Sequence, residues 1–141
     1  MNPLKKLYCR IFQNVFKFAL PFLPYRNPKI IGSLKEVPDV LKKKKCETVL
    51  IITDSGIHRL GLTTRLEKAL TDSGISYILY DKTVANPTTD NVAEALWLYQ
   101  NEGCQAIIGF GGGSSMDCAK AVGARVAKPH QSLAKMKGIL K

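Results

Sequence analysis

Three short apolar segments alternate with longer amphipathic segments along most of this chain, and this alternation limits the folds that it can adopt. The apolar segments are rich in β-branched and aliphatic side chains, and they are predicted strands over residues 48–54, 75–81 and 105–110. Helices are predicted over residues 62–74, from about Thr89, and over 114–128. Strands that alternate with helices of this length form right-handed β-α-β units, which predicts an α/β fold with a parallel sheet and flanking helices.

Residues 1–30 carry the pattern of an amphipathic helical segment. Arg10 and Lys17 interrupt its apolar run, so the segment lacks the uncharged length that crosses a bilayer, and no cleavable signal peptide is predicted. The pattern predicts a helix that packs on another domain or on a second copy in a homo-oligomer, with a helix lying on a membrane surface as the alternative. The apolar residues that recur at helical spacing are Leu7, Ile11, Val15 and Phe18.

The chain is basic, since Lys and Arg number 21 against 11 Asp and Glu, a net charge of +10. Aromatic residues do not alternate with these charges as they do where bases stack, so a solvated basic face is favoured over a nucleic-acid site. The four cysteines form no C-x-x-C pair and the two histidines stand apart, so their spacing predicts no metal site. Without a secretory signal, the cysteines indicate reduced thiols in the cytoplasm.

The sequence GFGGGS at residues 109–114 follows the third predicted strand and opens the third predicted helix. It is no Walker loop, because it lacks Lys followed by Ser or Thr, and it matches G-x-G-x-x-G weakly because its sixth residue is Ser114. Backbone N–H groups at such a helix start favour a diphosphate, and a tight turn without a ligand is the alternative. Ser114 is the predicted N-cap, with Asp117 completing an arrangement like a capping box.

Asp54 ends the first predicted strand at the same edge of the sheet as the glycine block. A carboxylate at this place accepts hydrogen bonds from both hydroxyls of an adenosine ribose and repels a 2′-phosphate, which favours NAD over NADP. A simple turn or helix-cap residue is the alternative interpretation of Asp54.

Three segments occur in the order and spacing of a known family: CQAIIGFGGGSSMDCAKAVG at residues 104–123, VLIITDSGIHRLGL at 49–62 and VANPTTDNV at 84–92. They resemble the N-terminal part of the iron-containing (group III) alcohol dehydrogenases. The resemblance covers nearly the whole chain and is closest over residues 48–128. It implies a Rossmann-like sheet within the dehydroquinate synthase-like superfold.

The resemblance implies an oxidoreductase that moves a hydride between NAD(P)H and an aldehyde or primary alcohol. Ser115 departs from the family, in which many members have proline, and is expected to alter the rigidity of the turn more than the choice of ligand. The implied cofactor-binding residues are Gly112, Gly113 and Ser114 at the pyrophosphate, Asp54 at the adenosine ribose, Asn86 beside the cofactor and Asp117 on the nicotinamide side.

The resemblance also implies a metal, Fe²⁺ or sometimes Zn²⁺, held by one Asp and three His of a helical C-terminal domain. That domain is expected to lie outside this sequence. Residues 31–141 are therefore interpreted as an incomplete NAD(P)-binding domain, and the chain by itself is expected to be inactive. The expected partner is a small alcohol or aldehyde, without nucleic acid or stable membrane insertion. A glycerol dehydrogenase, a dehydroquinate synthase-like enzyme and a non-catalytic nucleotide-binding module are the alternatives.

Overall fold

The computed structural model describes residues 3–19 and 28–136, with side chains described from Leu7 onward in the first range. The chain divides into two compact units between Ile30 and Ile31. The first unit contains α1 (Pro3–Ala19), which is the predicted N-terminal helix. Residues 20–27 of the predicted segment lie outside the described residues. None of the described helices is long and apolar enough to cross a membrane.

The second unit alternates helices and strands along the chain. Its elements are α2 (Val37–Lys43), β1 (Thr48–Ile52), α3 (Ser55–Arg59), α4 (Thr64–Asp72), β2 (Ser76–Tyr80), α5 (Thr89–Asn101), β3 (Ala106–Gly109) and α6 (Gly113–Ala127). Short 3₁₀ turns lie at Leu34–Glu36 and Leu133–Met136. The three predicted strands are present, each two residues shorter than predicted.

The three strands form one parallel sheet in the order β2-β1-β3, so the first strand lies in the centre. Residues Thr48–Ile52 of β1 pair with Ser76–Tyr80 of β2. On the other side, Val49 of β1 lies opposite Ala106 of β3 in the same parallel direction. The parallel sheet with flanking helices confirms the predicted α/β fold.

Helices cover both faces of the sheet, and the side chains of β1 alternate between them. Leu50 and Ile52 pack on one face against α5 and α6. Val49 and Ile51 pack on the other face against α2 and α4. All four side chains are fully buried, which is why this strand is apolar at consecutive positions instead of alternating with polar residues. Of the helices that follow the strands, α4 comes after β1 and lies on the face of Val49 and Ile51, whereas α6 comes after β3 and lies on the opposite face.

Two short helices have no counterpart in the sequence-based prediction. The first, α2, places Leu41 in the core beneath the sheet. The second, α3, begins directly after Asp54, whose Oδ1 accepts a hydrogen bond from the backbone N–H of Ile57 at 2.9 Å. By contrast, α5 begins at Thr89 as predicted, because Thr88 and Asn91 form a reciprocal capping box.

Candidate functional site

The carboxyl ends of β1 and β3 lie side by side, and the chain leaves them in opposite directions. It continues from β1 toward α4 on one face of the sheet and from β3 into α6 on the other. In open parallel sheets this divergence opens a crevice between the two strand ends, and ligands bind there. Asp54 follows β1 and the glycine block follows β3, so the two predicted features meet at this crevice.

Two glycines of the block are required by the protein itself. A Cβ at Gly109 would lie 2.9 Å from the Cβ of Ala119, so a side chain there would push α6 away from the sheet. Gly111 has a φ of +127°, a conformation that residues with a side chain rarely adopt. A Cβ at Gly111 would also lie 3.2 Å from the hydroxyl oxygen of Ser115. Packing and backbone conformation explain these two glycines without a ligand.

Gly112 and Gly113 have no such explanation. A Cβ built on either residue meets no other atom within 4 Å. Gly112 is the N-cap of α6, with an ordinary extended conformation at φ −80° and ψ −173°, and Gly113 is the first residue of the helix. Glycine relieves no clash at either position, and the open space leaves the backbone of this turn accessible to close approach from outside.

The start of α6 is capped differently from the prediction. Gly112 is the N-cap residue instead of Ser114, because the glycine turn enters the helix two residues earlier, and no side chain caps this end. Asp117 forms an ion pair with Lys120 at 3.1 Å. The predicted capping-box arrangement of Ser114 and Asp117 is therefore wrong. The first backbone N–H groups of the helix have no intrahelical acceptor, and they lie at the positive end of the helix dipole, directly after the turn that follows β3.

Asp54 divides its two carboxylate oxygens between the fold and the crevice. Oδ1 caps α3 through the hydrogen bond to Ile57. Oδ2 lies on the side of the glycine turn, since a Cβ at Gly111 would be 3.6 Å from this oxygen. Asp54 thus has the helix-cap role foreseen by one interpretation, and the structure also brings it beside the glycine block as the other interpretation requires.

Ser115 lies directly behind the glycine turn. It is the third residue of α6 and only 1% exposed, and its hydroxyl has no hydrogen-bond partner within the described part of the chain. A buried unpaired hydroxyl costs about 1–3 kcal/mol. The chain therefore places a polar atom against Gly111, where a Cβ would lie 3.2 Å from this hydroxyl oxygen.

The loop after β2 is joined to the loop after β1 at the same edge. Asp54 forms an isolated antiparallel bridge with Lys82. Nδ1 of His58 lies 2.7 Å from Oδ2 of Asp81, an ion pair when the histidine is protonated. Sequence reasoning missed this pair, because no spacing signal connects a residue of α3 with the residue that follows β2.

Asn86 lies further along the loop after β2. It is exposed, with a φ of +55°, in the left-handed region that asparagine tolerates better than most residues. No hydrogen bond within the described residues joins it to Asp54 or to the glycine turn. The structure therefore brings Asp54 to the glycine block, while the cofactor contacts of Asn86 and Asp117 stay predictions.

The last residue of β2, Tyr80, is buried next to the loop that follows this strand. The hydroxyl of Tyr80 donates to Oε2 of Glu94 and accepts from Nδ2 of Asn91, both at 3.1 Å. Burial is the main reason that the pKa of Tyr80 is raised to about 12. Burial also raises the pKa of the Cys118 thiol in α6. Both groups are therefore neutral at physiological pH and belong to the support of the site.

The crevice offers backbone N–H groups, hydroxyls and one carboxylate. Among the side chains that the structure describes, no group of three or more His, Cys, Asp or Glu could hold a metal ion. Free N–H groups at a helix start complement a phosphate, and a neighbouring carboxylate complements the hydroxyls of a sugar. The arrangement is suited to binding a nucleotide.

The chain is similar in sequence to a known family and to individual curated proteins. The family model for iron-containing alcohol dehydrogenase matches residues 29–140. Alcohol dehydrogenase 4 of Saccharomyces cerevisiae (strain YJM789) is 38% identical over 91 residues, which cover 64% of this chain and 24% of that protein. The long-chain primary alcohol dehydrogenase of Thermoanaerobacter ethanolicus is 41% identical over 96 residues, which cover 65% of this chain and 24% of that protein. The chain spans about a quarter of the length of these curated relatives.

Solved structures share the fold. A 1,3-propanediol oxidoreductase superposes with a TM-score of 0.70 at 28% identity, covering 74% of this chain and 27% of that chain. The NADH-dependent butanol dehydrogenase A of Thermotoga maritima superposes with a TM-score of 0.66 at 28% identity, again covering 74% of this chain and 27% of that chain. The sheet and its flanking helices are thus similar to one part of these larger proteins.

Proposed function

The chain belongs to the iron-containing alcohol dehydrogenase family, and on this basis we propose that it contributes the NAD(P)-binding part of an enzyme that interconverts primary alcohols and aldehydes. When bound, the nicotinamide dinucleotide supplies or accepts the hydride of this reaction. The residues of the crevice bind and orient the cofactor. We assign this role to residues 31–141 and assign residues 1–30 to a separate helical segment.

The open start of α6 is the observation that carries the proposal. Gly109 and Gly111 satisfy packing, whereas Gly112 and Gly113 leave a space with no atom within 4 Å of either missing Cβ. A pyrophosphate in this space meets the free N–H groups of the first helical turn, including that of Ser114, at the positive end of the helix dipole. A side chain on either glycine would occupy the place of the phosphate.

Asp54 supplies the second contact. Its Oδ2 lies beside Gly111, on the side where the crevice opens between β1 and β3. We assign this oxygen to the hydroxyls of the adenosine ribose, where its negative charge repels a 2′-phosphate and favours NAD over NADP. The NADH-dependent butanol dehydrogenase among the structural relatives supports this preference.

Two further residues complete the proposed site. Asn86 contacts the cofactor from the loop after β2. Asp117 faces the nicotinamide side, where its pair with Lys120 presents no obstacle because both side chains are largely exposed and such pairs are worth little.

Titration with NADH, followed by its fluorescence, tests the glycine assignment on three forms of the chain: unchanged, Gly113→Ala and Gly123→Ala. Both added methyl groups enter open space, so both variants fold at least as stably as the unchanged chain. We expect Gly113→Ala to weaken NADH binding by about tenfold or more, because a displaced phosphate loses charge-assisted hydrogen bonds worth about 1.5–3 kcal/mol.

Gly123→Ala is the matched control, since it makes the same change in the same helix, ten residues beyond the proposed contact. Its affinity for NADH is expected to equal that of the unchanged chain. Equal affinity in all three forms would refute the pyrophosphate assignment. Equal weakening in both variants would show that the helix, and not the site, was altered.

We propose that the family metal, Fe²⁺ or Zn²⁺, is held by the part of the enzyme that corresponds to the rest of the curated relatives, of which this chain spans about a quarter. Turnover of an alcohol or aldehyde is therefore proposed for the whole enzyme and not for residues 1–141 alone. We place the protein in the cytoplasm, where all four of its free cysteines would stay reduced.

A further inference from the structure

Helix α1 presents a broad apolar face that is exposed along its length. Leu7, Ile11, Val15 and Phe18 recur at helical spacing, and each is more than half exposed, with Phe18 at 82%. Tyr8, Phe12 and Phe16 run beside them as a stacked ladder, with ring centroids 6.5 Å and 6.1 Å apart. Aromatic and aliphatic side chains thus share one side of the helix.

The remaining side of α1 is cationic. Arg10, Gln13 and Lys17 follow one another at helical spacing opposite the apolar residues, and all three are exposed. The helix also contains Lys5 and Lys6 in its sequence and has no Asp or Glu. The first acidic residue of the whole chain is Glu36, so no carboxylate of the preceding sequence offsets these charges.

We propose that α1 binds the surface of an anionic lipid membrane and lies in the plane of the interface. Its apolar face enters the boundary between headgroups and acyl chains, while Lys and Arg reach the lipid phosphates. Aromatic and aliphatic residues on one face with cations on the other form the pattern of helices that lie on membranes without spanning them.

The charge of the helix favours a membrane over a second copy of this chain. A second α1 helix would cover the apolar face but would leave the four cations of each helix with no acidic side chain of either helix to pair with them. An anionic lipid surface supplies the opposite charge, and it attracts each nearby Lys or Arg. The apolar face is covered in either case, so the charge decides between the two partners.

Vesicle co-sedimentation of the whole chain tests the proposal. The probes are vesicles of phosphatidylcholine alone and of phosphatidylcholine mixed with phosphatidylglycerol. The chain is expected to bind the mixed vesicles and to bind the neutral ones much more weakly. Arg10→Gln with Lys17→Gln removes two charges while keeping a good helix former, and should weaken binding to mixed vesicles by roughly 30-fold at low salt.

Ile11→Gln with Phe18→Gln removes part of the apolar face and should weaken binding to the mixed vesicles by about tenfold or more. Lys42→Gln with Lys43→Gln is the matched control, since it removes the same charge from exposed residues of α2 in the second unit. This control is expected to bind like the unchanged chain. Circular dichroism, measured through thermal unfolding, verifies that every form stays folded.

Three outcomes would overturn the proposal. The first is no binding of the unchanged chain to mixed vesicles. The second is a loss of binding in the Lys42 and Lys43 control equal to that in the α1 variants, which would make the attraction a general effect of basic charge. The third is a dimer in solution that Ile11→Gln with Phe18→Gln converts to a monomer, without vesicle binding, which would show that a second copy covers the helix.

Discussion

Replacing Gly109 by alanine tests the contact between β3 and α6 on which the position of the glycine turn depends. The new Cβ would lie 2.9 Å from the Cβ of Ala119, 3.3 Å from the Cα of Met116 and 3.4 Å from the backbone oxygen of Ser115. Carbon atoms in contact prefer about 3.5–4.0 Å, so the helix must move away from the sheet. Two of the three neighbours are backbone atoms and cannot turn aside.

The expected loss in the free energy of unfolding is about 1–3 kcal/mol, the usual cost of overpacking a buried contact. Circular dichroism follows unfolding in urea, because most elements of the second unit are helices, α5 and α6 among them. For a unit of this size, the midpoint of thermal unfolding should fall by roughly 5–15 °C.

Ala119→Gly supplies the matched partner, since it removes the atom at 2.9 Å. On its own it should cost about 1 kcal/mol through lower helix propensity. In the double variant the loss should be smaller than the sum of the two single losses by at least about 0.5 kcal/mol. An unchanged midpoint for Gly109→Ala, or strict additivity in the double variant, would refute the packing explanation of this glycine.

Two further predictions concern charge. Asp54→Asn keeps a side chain that caps α3 well but removes the negative charge. The affinity for NADPH relative to that for NADH should therefore rise by roughly tenfold, as measured by fluorescence titration of both cofactors. An unchanged ratio of the two affinities would show that Asp54 does not contact the ribose. Tyr80, with its pKa raised to about 12, and Cys118, whose pKa burial also raises, bind their protons more tightly when folded. The stabilisation that these two protonated groups give the fold is complete below about pH 9 and is lost as the pH rises through the raised pKa values. The urea midpoint should therefore fall between about pH 9 and pH 12, and it should fall less steeply in Tyr80→Phe. A midpoint that does not change over this pH range would contradict the prediction.

The strands could be predicted because a strand that is buried on both faces needs apolar residues at consecutive positions. Val49 to Ile52 are apolar at four consecutive positions, as a central strand covered by helices requires. The predicted strand ends were too long, because Asp54 leaves the sheet to cap a helix. The helices α2 and α3 were not predictable in the same way, since seven and five residues are too few to display a helical period.

The site could be predicted only in part. The glycine block and Asp54 stand out locally, but their proximity depends on the strand order, which places β1 beside β3 although β2 lies between them in sequence. Gly109 is required because α6 packs closely on it, and Gly111 is required because its φ is positive. Neither property can be predicted from the amino-acid types alone. The predicted cap at Ser114 was wrong because Gly112 adopts the extended cap conformation first.

The most direct test of the account is to follow the backbone amide signals of the chain by ¹⁵N NMR during titration with NADH, ADP-ribose and adenosine. The amides of Gly113, Ser114 and Ser115 should shift strongly with both pyrophosphate ligands and weakly with adenosine, which has no phosphate. Shifts centred instead on another basic surface, such as the groove lined by Lys35, Arg65 and Lys68, would contradict the assignment of the glycine turn as the pyrophosphate site.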